Sequence, residues 1–383
     1  MLSLCATSPN LTREAGQQRR AQILTSQPRV THLVPAEFGP SGIVGGGERY
    51  AFELARHMAE CVPTALVTFG ATESERYVGA LRIKTLAATW HVRGQRTNPL
   101  SKKMLHELLK ADVVHCHQQR VMAASISALV CRLTGRRVVV SDLGGGGWDF
   151  SSYISTDRWF HAHLHISQYS RDVYGHSSKP WAHVIYGGVD TTKFTPDPSV
   201  HVEDMVLFVG RLLPHKGIDN LVDALPPELT LEIIGRPCDP AFLQLLHHKA
   251  RCKRVVFRHD CNDDDLVNAY RRARCIVLPS VYRNSFGGVT KVPELLGQTL
   301  LEGLACGRPA ICTDVASMPE IVKNEENGFV VPANHPAALR EKLSWIFAHK
   351  NEANEMGAKG RQMVLQQFQW PTVVSRCLEL YRA

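Results

Sequence analysis

From Arg29 onward, short runs of β-branched and other apolar residues alternate with stretches of helical period. This alternation limits the fold more than any other feature of the chain. In the front half the runs are VTHLV (30–34), ALVTF (65–69), DVVHC (112–116), RVVVS (137–141), HLHIS (163–167) and HVIYG (183–187). In the back half they are MVLFVG (205–210), LTLEIIG (229–235), RVVF (254–257), CIVLP (275–279), PAICT (309–313) and GFVV (328–331). Short, near-continuous apolar runs suit strands buried on both faces of parallel sheets. Helical patterns lie between them, such as ERYAFELARHMAE (48–60), which lines up Tyr50, Ala51, Leu54, Ala55 and Met58 on one face. Twelve such strands exceed one ordinary doubly wound sheet. The stretch DTTKFTPDPSVHVED (190–204) carries two prolines among polar residues and reads as a linker.

The expected architecture is therefore α/β: two Rossmann-like, doubly wound parallel-sheet domains facing a central cleft, with ligands beyond the carboxyl ends of the strands. The expected boundaries are a mobile N-terminal arm (1–28), a first domain (29–189), the linker (190–204), a second domain (205–365) and a C-terminal helix (366–383) free to cross back to the first. Composition narrows the class further. With 44% hydrophobic and 21% charged residues, the 383-residue chain is neither disordered nor a coiled coil. It has no apolar run near the roughly 18 residues of a membrane helix. Its charge of +8 is uneven: residues 1–190 carry 21 basic and 14 acidic side chains, residues 191–383 carry 23 and 22. Eleven cysteines are scattered, never closer than six apart and without a C-x-x-C pair, as expected of a reduced cytosolic protein. The first 27 residues lack the apolar core of a signal peptide.

Three segments carry candidate chemistry. Gly45-Gly46-Gly47 precedes the helix opened by Glu48, and such a loop lets backbone N–H groups approach an anion; it is not the G-x-G-x-x-G of nicotinamide cofactors. In FVGRLLPHKGIDNLVDAL (208–225) a strand ends at Gly210, Arg211 stands at its tip, and Lys216-Gly217 opens the next helix. A guanidinium fork beside an ammonium suits a diphosphate. In PELLGQTLLEGLACGRPAICTD, Glu294 and Glu302 flank Gly297 and an apolar helical stretch. A carboxylate there can accept hydrogen bonds from ribose hydroxyls, while free N–H groups near Gly297 face an anion.

Together, VLFVGRLLPHKG and the E-x7-E block from Glu294 to Glu302, with its trailing LEGLACGRPAICTDVASMPEIV, resemble the retaining glycosyltransferases of family 4. GGGERYAFELARHMAE looks like their first glycine loop and helix, ADVVHCHQ like their D-[VI]-[VI]-H-x-H strand end, and YGGVDTTKFTP like their inter-domain linker. The resemblance spans about residues 29–380 and implies the GT-B architecture, with the nucleotide sugar held mainly by the second domain and the acceptor by the first. It implies that Arg211 and Lys216, beyond Gly210, bind the leaving diphosphate, that Glu302 holds the ribose, and that Glu294 contacts the donor sugar. Gly297, Gln298 and Thr299 would offer backbone amides, Gly46 and Gly47 would face the diphosphate from the first domain, and Arg258 and His259 in FRHD would lie near the base. His117 would sit near the anomeric centre, whereas His115 on the same strand reads as packing. Asp142, Gly144 and Gly145 in SDLGGGGWD line an acceptor pocket on this reading, or a long mobile turn.

The implied activity is retaining transfer from a nucleotide sugar, UDP-linked before GDP-linked, to a hydroxyl acceptor, with no metal and no cofactor. Departing charge is stabilised by fixed cations and N–H dipoles. The alternatives are an epimerase or phosphorylase on the same architecture, or a non-catalytic sugar-binding relative. The chain departs from the family pattern in its longer VYRNSFGGVTKVP (281–293), where Tyr282, Arg283, Asn284 or the Phe286-Gly287-Gly288 turn would reach a substrate, and in Ser317-Met318 before Pro319-Glu320. Asp263-Asp264-Asp265 reads as dipole-favoured helix-start charge. His161, His163 and His165 alternate along a strand and share a face, but neighbours on one strand converge poorly, so no metal is expected. No nucleic-acid partner is expected. The basic amphipathic PLSKKMLHELLKA (99–111), with Met104, Leu105, Leu108 and Leu109, either covers a sheet or touches the inner face of an anionic membrane.

Overall fold

A computed structural model describes residues 27–37, 46–144 and 146–383, and no side chain at 36 or 37. Its contacts divide the chain into two compact units. The first runs to Ile166 and adds Arg171–Ile185 and Trp370–Ala383; the second is Ser167–Ser170 with Tyr186–Gln369. The stretch 190–204 holds no helix or strand, counts with the second unit, and buries Phe194.

In the first unit the strands are β1 (Val30–Glu37), β2 (Thr64–Gly70), β3 (Ser74–Val78), β4 (Leu81–Ala87), the short pair β5 (Trp90–His91) and β6 (Pro99–Leu100), then β7 (Val113–Cys116), β8 (Arg137–Val140), β9 (Ala162–His165) and β10 (Ala182–Val184). Eight of them form one sheet in the order β10-β9-β8-β7-β1-β2-β4-β3, parallel throughout except for the β3/β4 hairpin. Both faces are covered, which is why the strands read as near-continuous apolar runs. Leu33 and Val67 face one core with Val114, Val138 and Val140, against residues of the helices Met104–Lys110 and Met122–Leu133. Their chain neighbours Val34 and Leu66 face the other, with Ala51 and Ala55 of the helix Gly46–Ala59. That helix buries Tyr50, Ala51, Leu54, Ala55 and Met58, the five residues its period selects. The C-terminal helix Trp370–Arg382 packs on the same unit through Trp370 against Tyr50 and Tyr381 against His115.

The second unit strings β11 (Met205–Val209), β12 (Thr230–Ile234), β13 (Arg254–Arg258), β14 (Cys275–Leu278), β15 (Ala310–Thr313) and β16 (Gly328–Val331) into an all-parallel sheet ordered β13-β12-β11-β14-β15-β16. Numbered from its own first strand this is 3-2-1-4-5-6, the doubly wound order of dinucleotide-binding sheets. All twelve apolar runs became strands. Those the sequence pattern missed, β3 through β6, carry charge or are very short. In LRIKTLA of β4, Arg82 pairs with Glu75 and Glu107, and Lys84 with Glu73, so alternate positions are ion-paired instead of apolar.

The sheet order reverses between β11 and β14, and ligands of open parallel sheets bind at that point. There Gly217 has φ +63°, and a Cβ on it would lie 2.0 Å from the carbonyl oxygen of Pro279. The turn after β11 is thus pressed onto backbone at the end of β14. Gly217→Ala combines left-handed strain with a backbone clash and should destabilise by about 3 kcal/mol. A urea denaturation series reads this as a lowered midpoint; an unchanged midpoint would contradict the close packing.

Candidate functional site

The carboxyl ends of β11 and β14 bring together residues far apart in sequence. Gly210 closes β11, and a Cβ on Gly235, after β12, would lie 1.8 Å from its carbonyl oxygen, so the two strand ends meet without side chains. Arg211 follows with an exposed side chain that has no ion-pair partner among the described residues. The Lys216 ammonium pairs with Oε1 of Glu294, and the Ser280 hydroxyl donates to the same oxygen at 2.8 Å. Both charged groups are largely buried, so the pair is worth more than a surface salt bridge. His215 lies among Arg211, Lys216 and Glu294; burial, reinforced by Lys216, pushes its imidazole down to about 4, so it is neutral near pH 7.

Glu294 stands in the loop before the helix Gln298–Ala305, whose N-cap Gly297 adopts φ +81° and offers no capping side chain. Its first amides are the orphan donors of any helix start. Gln298 turns its side-chain amide to the Gly188 carbonyl at 3.1 Å. Glu302 is buried on the same helix and accepts from the Tyr270 hydroxyl at 2.7 Å. Arg258 is held differently from a base contact: it and Arg272 take one oxygen each of the buried Glu232, both at 3.1 Å. His259 hydrogen-bonds through Nδ1 to the Gly235 carbonyl oxygen at 2.8 Å. The 281–293 segment folds on its own unit, with Asn284 accepting from the Phe286 and Gly288 amides and Tyr282 accepting from the Ala316 amide.

In the first unit Gly46 and Gly47 begin the helix Gly46–Ala59; Gly45 and Gly145 fall outside the described residues. A Cβ at Gly46 would meet nothing within 4 Å, whereas one at Gly47 would approach Leu143 Cβ at 3.3 Å. His117 follows β7. Its Nε2 meets His32 Nδ1 at 2.8 Å, and its Nδ1 is buried without a hydrogen-bond partner among the described residues. Burial holds its imidazole well below the usual range, so it is neutral. His115 uses both nitrogens, with the Tyr381 hydroxyl at 2.6 Å and the Ser141 hydroxyl at 2.9 Å, as a packing residue does. Asp142, its carboxyl raised by burial, accepts from the Gly144 amide at 3.3 Å and pairs with Tyr174; the Gly144 carbonyl accepts from Gln118 at 3.1 Å. His161 leaves the strand-face trio, its Nδ1 accepting from the Val138 amide at 3.0 Å.

Several site residues escaped the sequence pattern. His215 sits inside the quoted run FVGRLLPHKGIDNLVDAL and Ser280 directly follows CIVLP, but nothing local marks their partners. Tyr270 is 32 residues from Glu302. Glu320 accepts from the Gln168 and Tyr169 amides, each at 2.7 Å, and from the Tyr186 hydroxyl at 2.9 Å, partners more than 130 residues away. The helix-start acids behave simply: Asn262 caps the helix Asp263–Arg272, and Asp263 and Asp265 pair with Lys193 and Arg258.

Two measurements follow from this geometry. In an unfolded chain His32, His163, His165 and His215 would titrate near 6.5, but burial pushes them to about 3, 4, 3 and 4. The unfolded state binds these protons first, so stability is complete above about pH 6.5 and falls as pH drops, each group contributing about 1.4 kcal/mol per pH unit until its folded value is reached. Urea midpoints taken from about pH 7.5 to 5 should fall steeply; a flat profile would show that these histidines are solvated. Separately, Gly46→Ala should keep stability or raise it by up to about 1 kcal/mol, read as an unchanged or higher melting temperature, because the site is open and helical. If an anion approaches this amide, the same change weakens its binding.

Comparison with known proteins agrees with this geometry. The model of the glycosyl transferases group 1 family matches residues 191–363, and that of glycosyltransferase family 4 matches residues 44–193. A GDP-mannose-dependent α-(1-6)-phosphatidylinositol monomannoside mannosyltransferase of Mycobacterium tuberculosis is 28% identical over 236 residues, 57% of this chain and 60% of that protein. The alignment thus spans less than two thirds of that relative. An α-maltose-1-phosphate synthase of Mycolicibacterium smegmatis is 28% identical over 272 residues, 62% of this chain and 67% of the other. Among solved structures, HepE of Anabaena with UDP and glucose superposes with TM-score 0.70 at 16% identity, over 92% of this chain and 98% of that one. Sucrose-phosphate synthase of Thermosynechococcus elongatus does so with TM-score 0.71 at 20% identity and the same coverage. At such identities the structures share the fold, which is GT-B. Between them the two family models match residues 44–363, and the chain resembles the glycosyltransferases of the family 4 type in sequence and shares the GT-B fold.

Proposed function

We propose that this chain transfers a sugar from a nucleoside-diphosphate donor to a hydroxyl acceptor, with retention at the anomeric carbon and without a catalytic metal. The observation that carries this reading is the Lys216–Glu294 pair beside the exposed Arg211, which has no ion-pair partner among the described residues, at the sheet's switch point. A diphosphate entering there meets two cations, and Glu294, released from Lys216, is free to accept hydrogen bonds from sugar hydroxyls. Arg211 and Lys216 supply the positive charge, and the Gln298 and Thr299 amides beyond Gly297 supply aligned dipoles. Glu302, oriented by Tyr270, accepts from the ribose. Arg258 and His259, tied to Glu232 and Gly235, shape the wall on the base side instead of reading the base with free side chains.

In the step itself the bond between the anomeric carbon and the diphosphate oxygen breaks, and its electron pair leaves with the phosphate. The acceptor oxygen bonds to the same face, and its proton passes to the departing phosphate oxygen. Glu294 is a poor covalent nucleophile because, once released from Lys216, its carboxylate is held by the Ser280 hydroxyl and by the sugar hydroxyls it accepts from. The first unit serves the acceptor, with His117 Nδ1 and the Asp142–Gly144 turn as the polar groups offered to it. A UDP-linked sugar is the first candidate, supported by the HepE complexes, and GDP-mannose, named for the mycobacterial relatives, is the direct alternative. We place the reaction on the cytoplasmic side, in keeping with buried free thiols such as Cys275 and Cys312. Among the described residues no helix is long and apolar enough to cross a membrane. The helix Met104–Lys110 buries Met104 and Leu108 while Leu105 and Leu109 stay exposed.

The test is a thermal-shift panel of nucleotide sugars followed by nucleotide-release assays with hydroxyl acceptors. One donor should raise the melting temperature. Lys216→Ala should lower kcat about 10²- to 10³-fold, and Glu302→Gln should weaken donor binding while keeping Tyr270 bonded. Turnover without an alcohol acceptor, or dependence on inorganic phosphate, would replace this reading with an epimerase or phosphorylase.

A further inference from the structure

Away from the donor residues, the first unit gathers a second group of histidines. His163 and His165 lie on one face of β9, and the group joining them is His176, from the turn after the helix Gln168–Val173, not His161. One ring nitrogen of each lies within 4.8 Å of the other two, and all three residues are buried. His165 Nε2 and His176 Nδ1 are already 3.1 Å apart. Tetrahedral zinc with nitrogen ligands at about 2.0–2.1 Å holds those nitrogens about 3.4 Å apart, so little rotation is needed.

The surroundings resemble an outer shell. His163 Nε2 donates to the Asp157 backbone carbonyl at 2.9 Å, which leaves the lone pair on Nδ1. His176 Nε2 faces the Asp157 carboxylate at 3.6 Å, which favours the proton on Nε2 and the lone pair on Nδ1. Asp157 is itself fixed by Gln119, which donates to Oδ1 at 2.6 Å. Metal-ligating histidines characteristically donate their second N–H to a carboxylate or backbone carbonyl in this way. The other triad, His32, His115 and His117, is accounted for differently. Both nitrogens of His115 are bonded to Tyr381 and Ser141, and His32 bridges His117 and the Met58 sulfur.

We propose that His163, His165 and His176 form a zinc(II) site, with Asp157 as its outer partner and the neighbouring carboxylate. Three imidazoles with no thiolate and a nearby carboxylate are a donor set suited to this ion. Three imidazoles leave the fourth position of the ion to water, and the role we assign to the ion is to hold segments together. It ties β9 to the Asp157 turn and to the 171–181 segment, where Trp181 packs on His163 and His176 and Tyr174 links to Asp142. The site is independent of the sugar-transfer reading, and either can fail without the other.

The test uses the full chain, stripped with a chelator and titrated with zinc against a chromophoric competitor, then with cobalt(II) for its spectrum. Expected are one tightly bound zinc per chain, a rise in melting temperature, and tetrahedral cobalt bands without thiolate charge transfer. His176→Gln should lower zinc affinity at least about 100-fold and Asp157→Asn about 10- to 100-fold. His32→Gln should leave it unchanged. Should His176→Gln fail to fold by circular dichroism, Asp157→Asn and the cobalt spectrum of the unaltered chain carry the test. The proposal is overturned by absence of stoichiometric zinc, by a thiolate band, by equal affinity in the folded His176→Gln or Asp157→Asn chains, or by loss with His32→Gln.

Discussion

In the second unit, the contact between Gly217 and the Pro279 carbonyl is the constraint on which the proposed donor residues depend. A parallel sheet that reverses its order leaves a gap where two crossovers diverge, and something must close the base of that gap without filling it. Here backbone does so: Gly217 against Pro279 between β11 and β14, and Gly235 against Gly210 between β12 and β11. Because no side chain stands in either contact, the turn that carries Lys216 is drawn down toward Ser280 and Glu294. A residue with a Cβ at either place would lift that turn and separate the cation from its carboxylate.

The charge logic of the site follows from that closeness. Two cations on one short turn repel each other, and a buried ammonium without a counter-ion is costly. Glu294 neutralises Lys216, Ser280 orders the carboxylate, and His215 between the cations is held neutral, so it adds no further repulsion. Arg211 keeps an exposed side chain at the strand tip. The resting arrangement is thus preorganised for a ligand with two negative charges. On the proposed reading such a ligand replaces one carboxylate at Lys216 and engages Arg211 in addition, so its binding changes the partner of a charge instead of stripping that charge of partners.

How much of this could be read from the chain follows the range of each interaction. Strands buried on both faces announce themselves because every position is apolar, and each of the twelve runs is a strand. The helix Gly46–Ala59 shows its five buried residues through period alone. The hairpin of β3 and β4 carries no apolar signal because ion pairs of Arg82 and Lys84 take the place of apolar burial, with Glu75 on β3, Glu73 directly before it and Glu107 from the helix Met104–Lys110. Cationic and acidic site residues were legible as types in a recurring context. Their pairings, Lys216 with Glu294, Glu302 with Tyr270 and Arg258 with Glu232, were not, since a pairing across 26 to 78 residues leaves no local trace. Arg258 shows the consequence: a free arginine near a base and an arginine locked on a buried glutamate look alike in sequence.

The histidines of the first unit show why hydrogen-bond accounting separates roles that burial alone does not. Six of them, His32, His115, His117, His163, His165 and His176, are buried, and all are held neutral. A neutral imidazole has one donor and one acceptor nitrogen, and leaving either without a partner in the interior costs about 1–3 kcal/mol. His115 meets that demand completely and thereby anchors Tyr381 of the C-terminal helix. His117 does not: among the described residues its Nδ1 has no partner, which is the feature that sets it apart from His115. In the β9 group the oxygens of Asp157 take the N–H of His163 and favour that of His176, which leaves lone pairs directed elsewhere. Two imidazole nitrogens 3.1 Å apart can share one proton between them, but the third brings another lone pair to the same place, and a proton satisfies only one neighbour at a time. A cation satisfies all three.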